Sequence, residues 1–120
     1  MMSFFGEGNQ QLNRVIEESV PGKQVTIAHV IAAPVEDIYE RLGIDNLGAI
    51  GILTLSPYET AIIAADIATK AAQVEIGFLD RFTGSVVIAG DVDSVETALT
   101  AVTQTLHDLM DFTTVEVTKT

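Results

Sequence analysis

Residues 48–92, GAIGILTLSPYETAIIAADIATKAAQVEIGFLDRFTGSVVIAGDV, hold a strand, a capped helix, a strand, a tight turn, a strand and the start of another helix, without a cluster of catalytic character. The apolar run from Gly48 to Leu55 has the length of a strand and stops at Ser56-Pro57-Tyr58-Glu59. There a serine can cap a helix, a proline fits its first turn and a glutamate can reach back, which predicts a helix from Pro57 to Ala72. Gln73 to Asp80 reads as a strand. It is parted from a strand at Ser85 to Ala89 by Arg81-Phe82-Thr83-Gly84, whose glycine suits a turn with unusual backbone angles. Asp91 or Asp93 then caps a long helix. In that helix Val92, Val95, Leu99, Val102, Leu106 and Leu109 recur at steps of three and four and predict one buried stripe, with Asp93, Glu96, Thr100, Thr103, Gln104 and Asp108 on the other face.

Working outward, Lys23 to Ala33 reads as a strand that Pro34 ends, followed by a short helix from Val35 to Leu42 with Gly43 in the left-handed cap position. At the other end Phe112 to Thr118 alternates as a final strand. The order β, α, β, α, β, β, α, β predicts one α+β domain, an α/β sandwich of ferredoxin-like type, with helices on one face of a mixed or antiparallel sheet. Before it, Arg14 to Val20 is either a helical turn or a short strand, since Val15, Ile16 and Val20 fit neither period. Residues 1–13, with Gly6, Gly8, Asn9, Gln10 and Gln11, read as a flexible tail in which Phe4-Phe5 stands out.

Composition narrows the function classes. At 120 residues and 48% hydrophobic, the chain can bury a core but has room for one domain. A net charge of −11 with six Lys and Arg speaks against nucleic acid and against an anionic membrane surface. There is no cysteine, which rules out disulfides and thiolate chemistry, and no run has the length of a membrane span. The N-terminus lacks the pattern of a signal peptide, so a cytoplasmic protein is expected. In the helix at Ala61 to Ala72, Ile62, Ile63 and Ile67 among alanines leave only Asp66, Thr69 and Lys70 as a thin polar strip. Such a helix is expected to be covered on two sides, with neighbouring copies as the second cover.

Enzymatic chemistry finds little support. His29 in a strand and His107 in a helix are far apart and have no second histidine or patterned carboxylate at metal-ligand spacing. Both read as structural or surface residues. There is no nucleophile elbow, phosphate loop or dinucleotide fingerprint. No catalytic, cofactor-binding or metal-ligating residue is therefore expected.

Long passages of the chain carry a resemblance: Val20 to His29 (VPGKQVTIAH), Ala49 to Thr60 (AIGILTLSPYET), Ile62 to Ala72 (IIAADIATKAA), Val74 to Gly84 (VEIGFLDRFTG), Gly90 to Leu99 (GDVDSVETAL) and the closing FTTVEVTKT. They resemble the circularly permuted single-domain bacterial microcompartment (BMC) shell proteins of the PduU/EutS family, of the propanediol and ethanolamine utilisation type. Ordinary members of the wider group end with a strand of the type VHVIPRP, whereas here the similar Ala28 to Pro34 (AHVIAAP) comes first. The resemblance implies a homohexamer whose rings tile with other shell proteins into a sheet enclosing metabolic enzymes. It also implies that 21–120 is the permuted shell domain and that Arg14, Val15, Ile16, Glu17, Glu18, Ser19 and Val20 form one strand of a small parallel barrel capping the central pore.

Further residue roles follow from the same likeness. Lys70, within Ala64 to Ala72, matches a lysine at the outer edge of the ring; the alternative is an exposed lysine near a helix C-terminus, favoured there by the dipole. The arginine that helps build that edge in ordinary members is replaced here by Ala32-Ala33-Pro34. The turn Asp80-Arg81-Phe82-Thr83-Gly84 corresponds to the pore-lining loop, with Arg81 either near the axis or paired within its own subunit or with one neighbour. Gly48, beside the strand where ordinary members begin, is a candidate hinge for deforming the ring. Encapsulated enzymes are further candidate partners. Without the resemblance, a ferredoxin-like regulatory domain binding a small ligand between subunits would be the alternative.

Overall fold

The computed structural model describes residues 22–120. Strands β1 (Gln24–Ile31), β2 (Ala49–Ser56), β3 (Glu75–Asp80), β4 (Ser85–Gly90) and β5 (Thr118–Lys119) alternate with helices α1 (Glu36–Leu42), α2 (Thr60–Ala71) and α3 (Val92–Met110) in the order read from the sequence. They form one mixed sheet, β3-β4-β2-β1-β5, antiparallel except for β5, which runs parallel to β1.

The core lies between one sheet face and the two long helices. Val25, Ala28 and Val30 of β1, Leu53 and Leu55 of β2, and Val86 and Ile88 of β4 point to that side. They meet Ala61, Ala64, Ala65 and Ala68 of α2 and Val95, Leu99, Val102 and Leu106 of α3. The small alanine face lets α2 lie close to the sheet. Gly51 serves the same closeness for α3, since a Cβ there would stand 2.7 Å from Val95 and 2.9 Å from Ile88. Ile50 and Ala89, cross-strand partners on the opposite face, are also buried, as is Tyr39 of α1. Together with the contact between Ile44 and the Gly77 position, this puts α1 and the loop after it over the second face, so the helices do not all share one side as expected.

Helix boundaries follow local chemistry. Asp91 caps α3, its side chain accepting from the Ser94 N–H at 2.8 Å. Gly43 closes α1 at φ 72°, its N–H bonding to the Glu40 carbonyl. The serine cap expected at Ser56 is absent: Ser56 stays in the ladder opposite Gln24, and α2 begins three residues later than predicted, at Thr60, with Pro57 to Glu59 forming the turn before it. Leu109 also departs from expectation. It is 79% exposed, because an α-helix turns 100° per residue and Met110, four positions after Leu106, takes the place on the stripe that the third position misses. Thr103, expected on the polar face, is buried and gives its hydroxyl hydrogen to the Thr100 carbonyl.

The expected strand from Phe112 to Thr118 is mostly irregular. Thr113 pairs with Gln24 and Thr118 with His29, both at an offset of 89 residues, so the segment runs alongside β1 in one register while its middle leaves the ladder. β1 bulges between Val25 and Ile27 to follow β2, which spoils its outer edge for the neighbour on the other side.

Candidate assembly surfaces

One end of the sheet gathers three pieces of chain: the start of β1 after Gly22, the end of β2, and the β3 to β4 turn, held by the bond from the Leu55 N–H to the Gly84 carbonyl (2.8 Å). In the turn, the Asp80 carboxylate accepts from the Phe82 N–H at 2.8 Å, and the Gly84 N–H bonds to the Asp80 carbonyl at 2.9 Å. The bond from Phe82 holds the Asp80 carboxyl below its ordinary pKa, aided by the Thr83 hydroxyl. Gly84 sits at φ 75°, as its place in a tight turn predicts. The turn presents Phe82, 73% exposed, with the Arg81 guanidinium over its ring at 5.0 Å.

The described cations divide into two groups. Arg41, Lys70 and Lys119 pair with Asp37, Asp66 and Glu96 at 2.7 to 2.9 Å. Among the described residues, Lys23 and Arg81 have no carboxylate partner, and each lies over a phenyl ring instead. Both belong to the sheet end just described. Residues 14–20, proposed for the barrel, and the tail before them lie outside the described residues.

Lys70 stands on the exposed side of α2 in its last turn, bonded to Asp66 at 2.9 Å. The spacing of four between Asp66 and Lys70 is the sequence signal for this pair. A pair this exposed contributes about 0–1 kcal/mol, so the ammonium can exchange Asp66 for another acceptor at small cost. The same helix leaves Ile62 and Ile63 in contact with solvent, 49% and 40% exposed, because the alanines take the core side. One of the two covers expected for α2 is thus the subunit's own sheet, and the other is not supplied among the described residues.

The sheet face away from α2 and α3 is also partly open. His29, Ile52, Val87 and Phe78 form a row across β1, β2, β4 and β3, with Ile27 beside it, and Phe78 and Ile27 are about half exposed. His29 ties β5 into this face, with Nδ1 2.6 Å from the Thr118 hydroxyl and Nε2 2.8 Å from that of Thr120. Either tautomer is satisfied, because a hydroxyl both donates and accepts. His107 pairs with the adjacent Asp108 on the exposed side of α3. Among the described residues no group of three His, Asp or Glu could hold a metal ion. No described helix is long and apolar enough to cross a membrane.

Gly48 sits where the loop from α1 enters β2, at φ 114°, with its N–H bonded to Asn46 Oδ1 at 3.0 Å. A Cβ there would find only ordinary contacts, the nearest being the Gly90 carbonyl oxygen at 3.7 Å. Its requirement for glycine is therefore one of backbone conformation rather than space.

Comparison with known proteins bears on these surfaces. The model of the BMC domain matches residues 49–118. The bacterial microcompartment shell protein CutR of Streptococcus intermedius is 58% identical over 109 residues, 91% of this chain and 94% of that one. The shell protein PduU of Salmonella typhimurium is 60% identical over 109 residues, 90% of this chain and 94% of the relative. In three dimensions the chain is similar to a CutR flat hexamer, with a TM-score of 0.81 and 57% identity, covering 90% of this chain and all of that one.

Proposed function

Because the chain belongs to the BMC-domain family of bacterial microcompartment shell proteins, we propose that it is a structural tile. It forms a homohexamer that joins other shell proteins in the cytoplasmic microcompartment shell and encloses metabolic enzymes. Its work is structural rather than catalytic. The observation that carries this reading is the match, over the whole of the relative's chain, to a subunit solved as a flat hexamer.

The open surfaces suit such a ring. Ile62 of α2 and the row around Phe78 on the second face are apolar areas that association between copies would bury. The family model begins at Ala49, so β1 and α1 complete the domain from before the matched span, which supports the permuted order. β1 begins, just after the segment that contains residues 14–20, at the sheet end that also holds the Asp80 to Gly84 turn. If those residues gather about the six-fold axis, the turn lies near the axis as well. A lone strand has unpaired edges, and six copies closing into a parallel barrel would pair all of them. Lys70 is the edge residue: its apolar stem lies along the neighbouring ring while the ammonium leaves Asp66 for a carbonyl at the seam.

Light scattering on the full chain, beside a copy lacking residues 1–20, tests the reading. A mass six times 12.8 kDa for the full chain is the expected result. Retention of that mass after truncation makes the barrel an accessory of the ring, and its loss makes the barrel part of the ring's stability. A dimer or trimer that gains heat stability with a metabolite would overturn the tile in favour of a ligand-binding regulatory domain.

A further inference from the structure

An apolar groove that the tile leaves unused opens where β1 begins. Lys23, Pro57, Glu59, Thr60, Ile63, Met110 and Phe112 line it around a volume of about 280 Å³. An apolar cavity of about 150 Å³ takes up benzene, so an aromatic side chain fits here with room to spare. The lip of the groove is Lys23, next to the first described residue. Its Nζ stands 5.8 Å from the centre of the Phe112 ring and has no carboxylate partner among the described residues.

The 21 residues that precede Gly22 contain Phe4-Phe5, a pair for which the tile has no use, with Glu7 two positions on. The chain is long enough to bring the pair back. A strand over residues 14–20 would carry it about 23 Å from the foot of β1, and the eight residues from Gly6 to Asn13 can span about 27 Å on the return. Gly6, Gly8 and Asn9 are the residue types that allow such a reversal.

We propose that the groove between β1, α2 and the end of α3 is the docking site of the chain's own N-terminal segment, with Phe4-Phe5 as the anchor and Glu7 facing Lys23. Docking would cover Ile63, 40% exposed in the described chain, and would tether the free end of the segment at the foot of the strand it continues into. The groove lies within one subunit, so the proposal does not depend on the hexamer.

The chain has no tryptophan and no cysteine, so both can be introduced as single reporters. In full-length F5W the indole emission is expected to be blue-shifted and several-fold less quenched by acrylamide than in the same chain carrying I63E. In full-length S3C/E59C, mild oxidation is expected to give a disulfide that S3C/D108C does not form. A cross-link within one chain, told by gel mobility, supports the docking, and one formed only between two chains overturns it. A water-exposed indole in F5W overturns it. So does a buried indole that ignores I63E in a chain whose S3C/E59C form does not cross-link, because the aromatic pair is then held elsewhere. Light scattering on the same samples reads the hexamer separately from either result.

Discussion

A methyl group at Gly84 would overlap the Leu55 carbonyl oxygen and reach 3.0 Å from the Tyr58 ring, in a residue whose φ of 75° already disfavours any side chain. Gly22, at φ 101° with open space around the same position, carries only the conformational part of that cost. Gly84→Ala is therefore expected to lower stability by about 1–3 kcal/mol and more than Gly22→Ala does, measured as the difference in Tm. Asp80 in the same turn gives a pH prediction. Its folded pKa is depressed, so its contribution is present above the unfolded carboxylate pKa and is lost as pH falls through the folded one. Asp80→Ala should then lower Tm at neutral pH, and the gap to the parent should narrow on acidification below the ordinary aspartate range. Thermal scans across that range check it, and a constant gap would mean that the carboxylate does not hold the turn. Both effects were half legible in the sequence. The glycine announced the turn, whereas the approach of Leu55 and Tyr58 depends on a strand and a loop nearly thirty residues earlier.

The elements themselves were largely readable, because their signals are local. The stripe of α3, the glycine cap of α1 and the aspartate cap at Asp91 all rest on neighbours within one or two turns. The errors fell where a distant partner decides. Ser56 had the chemistry of a cap, but pairing with Gln24 kept it in β2. The alternation of Phe112 to Thr118 was a sound strand signal, and the bulge in β1 interrupts the ladder it would have joined. What remains of β5 leans on side chains, chiefly the two bonds from His29 and the pair between Lys119 and Glu96. His29→Ala should loosen it by about 1 kcal/mol for each hydrogen bond lost. Hydrogen exchange at the Thr120 and Ala32 amides, which bond β5 to β1, would be expected to speed up while exchange in the β2 to β4 ladder stays slow. Equal protection in the variant would show that the backbone pairing suffices without the histidine. The likeness to shell proteins was carried by whole phrases of sequence, but which side of α2 faces outward was not. The isoleucines suggest the buried side and the alanines take it.

For the whole molecule, the edge and the hinge make separable predictions. Lys70→Ala removes an exposed ion pair and should leave the subunit's stability within about 1 kcal/mol of the parent's. It should keep the hexamer by light scattering while extended sheets disappear in electron micrographs; sheets of unchanged extent would remove Lys70 from the edge. At Gly48 an added Cβ meets only ordinary contacts, so the cost of Gly48→Val begins with its backbone angle, and in the folded variant the ring is expected to be held in a different shape. An unchanged ring outline in a solved structure of that variant would end the hinge proposal. The outward isoleucines of α2 reach beyond assembly into supply. A subunit that leaves the ribosome with Ile62 and Phe78 still wet is an adhesive intermediate, and its safe lifetime depends on how soon a sister copy arrives. Dosage then becomes part of the design: synthesis matched to partner tiles yields shell, and synthesis in excess yields inclusion bodies rather than a reserve of spare parts.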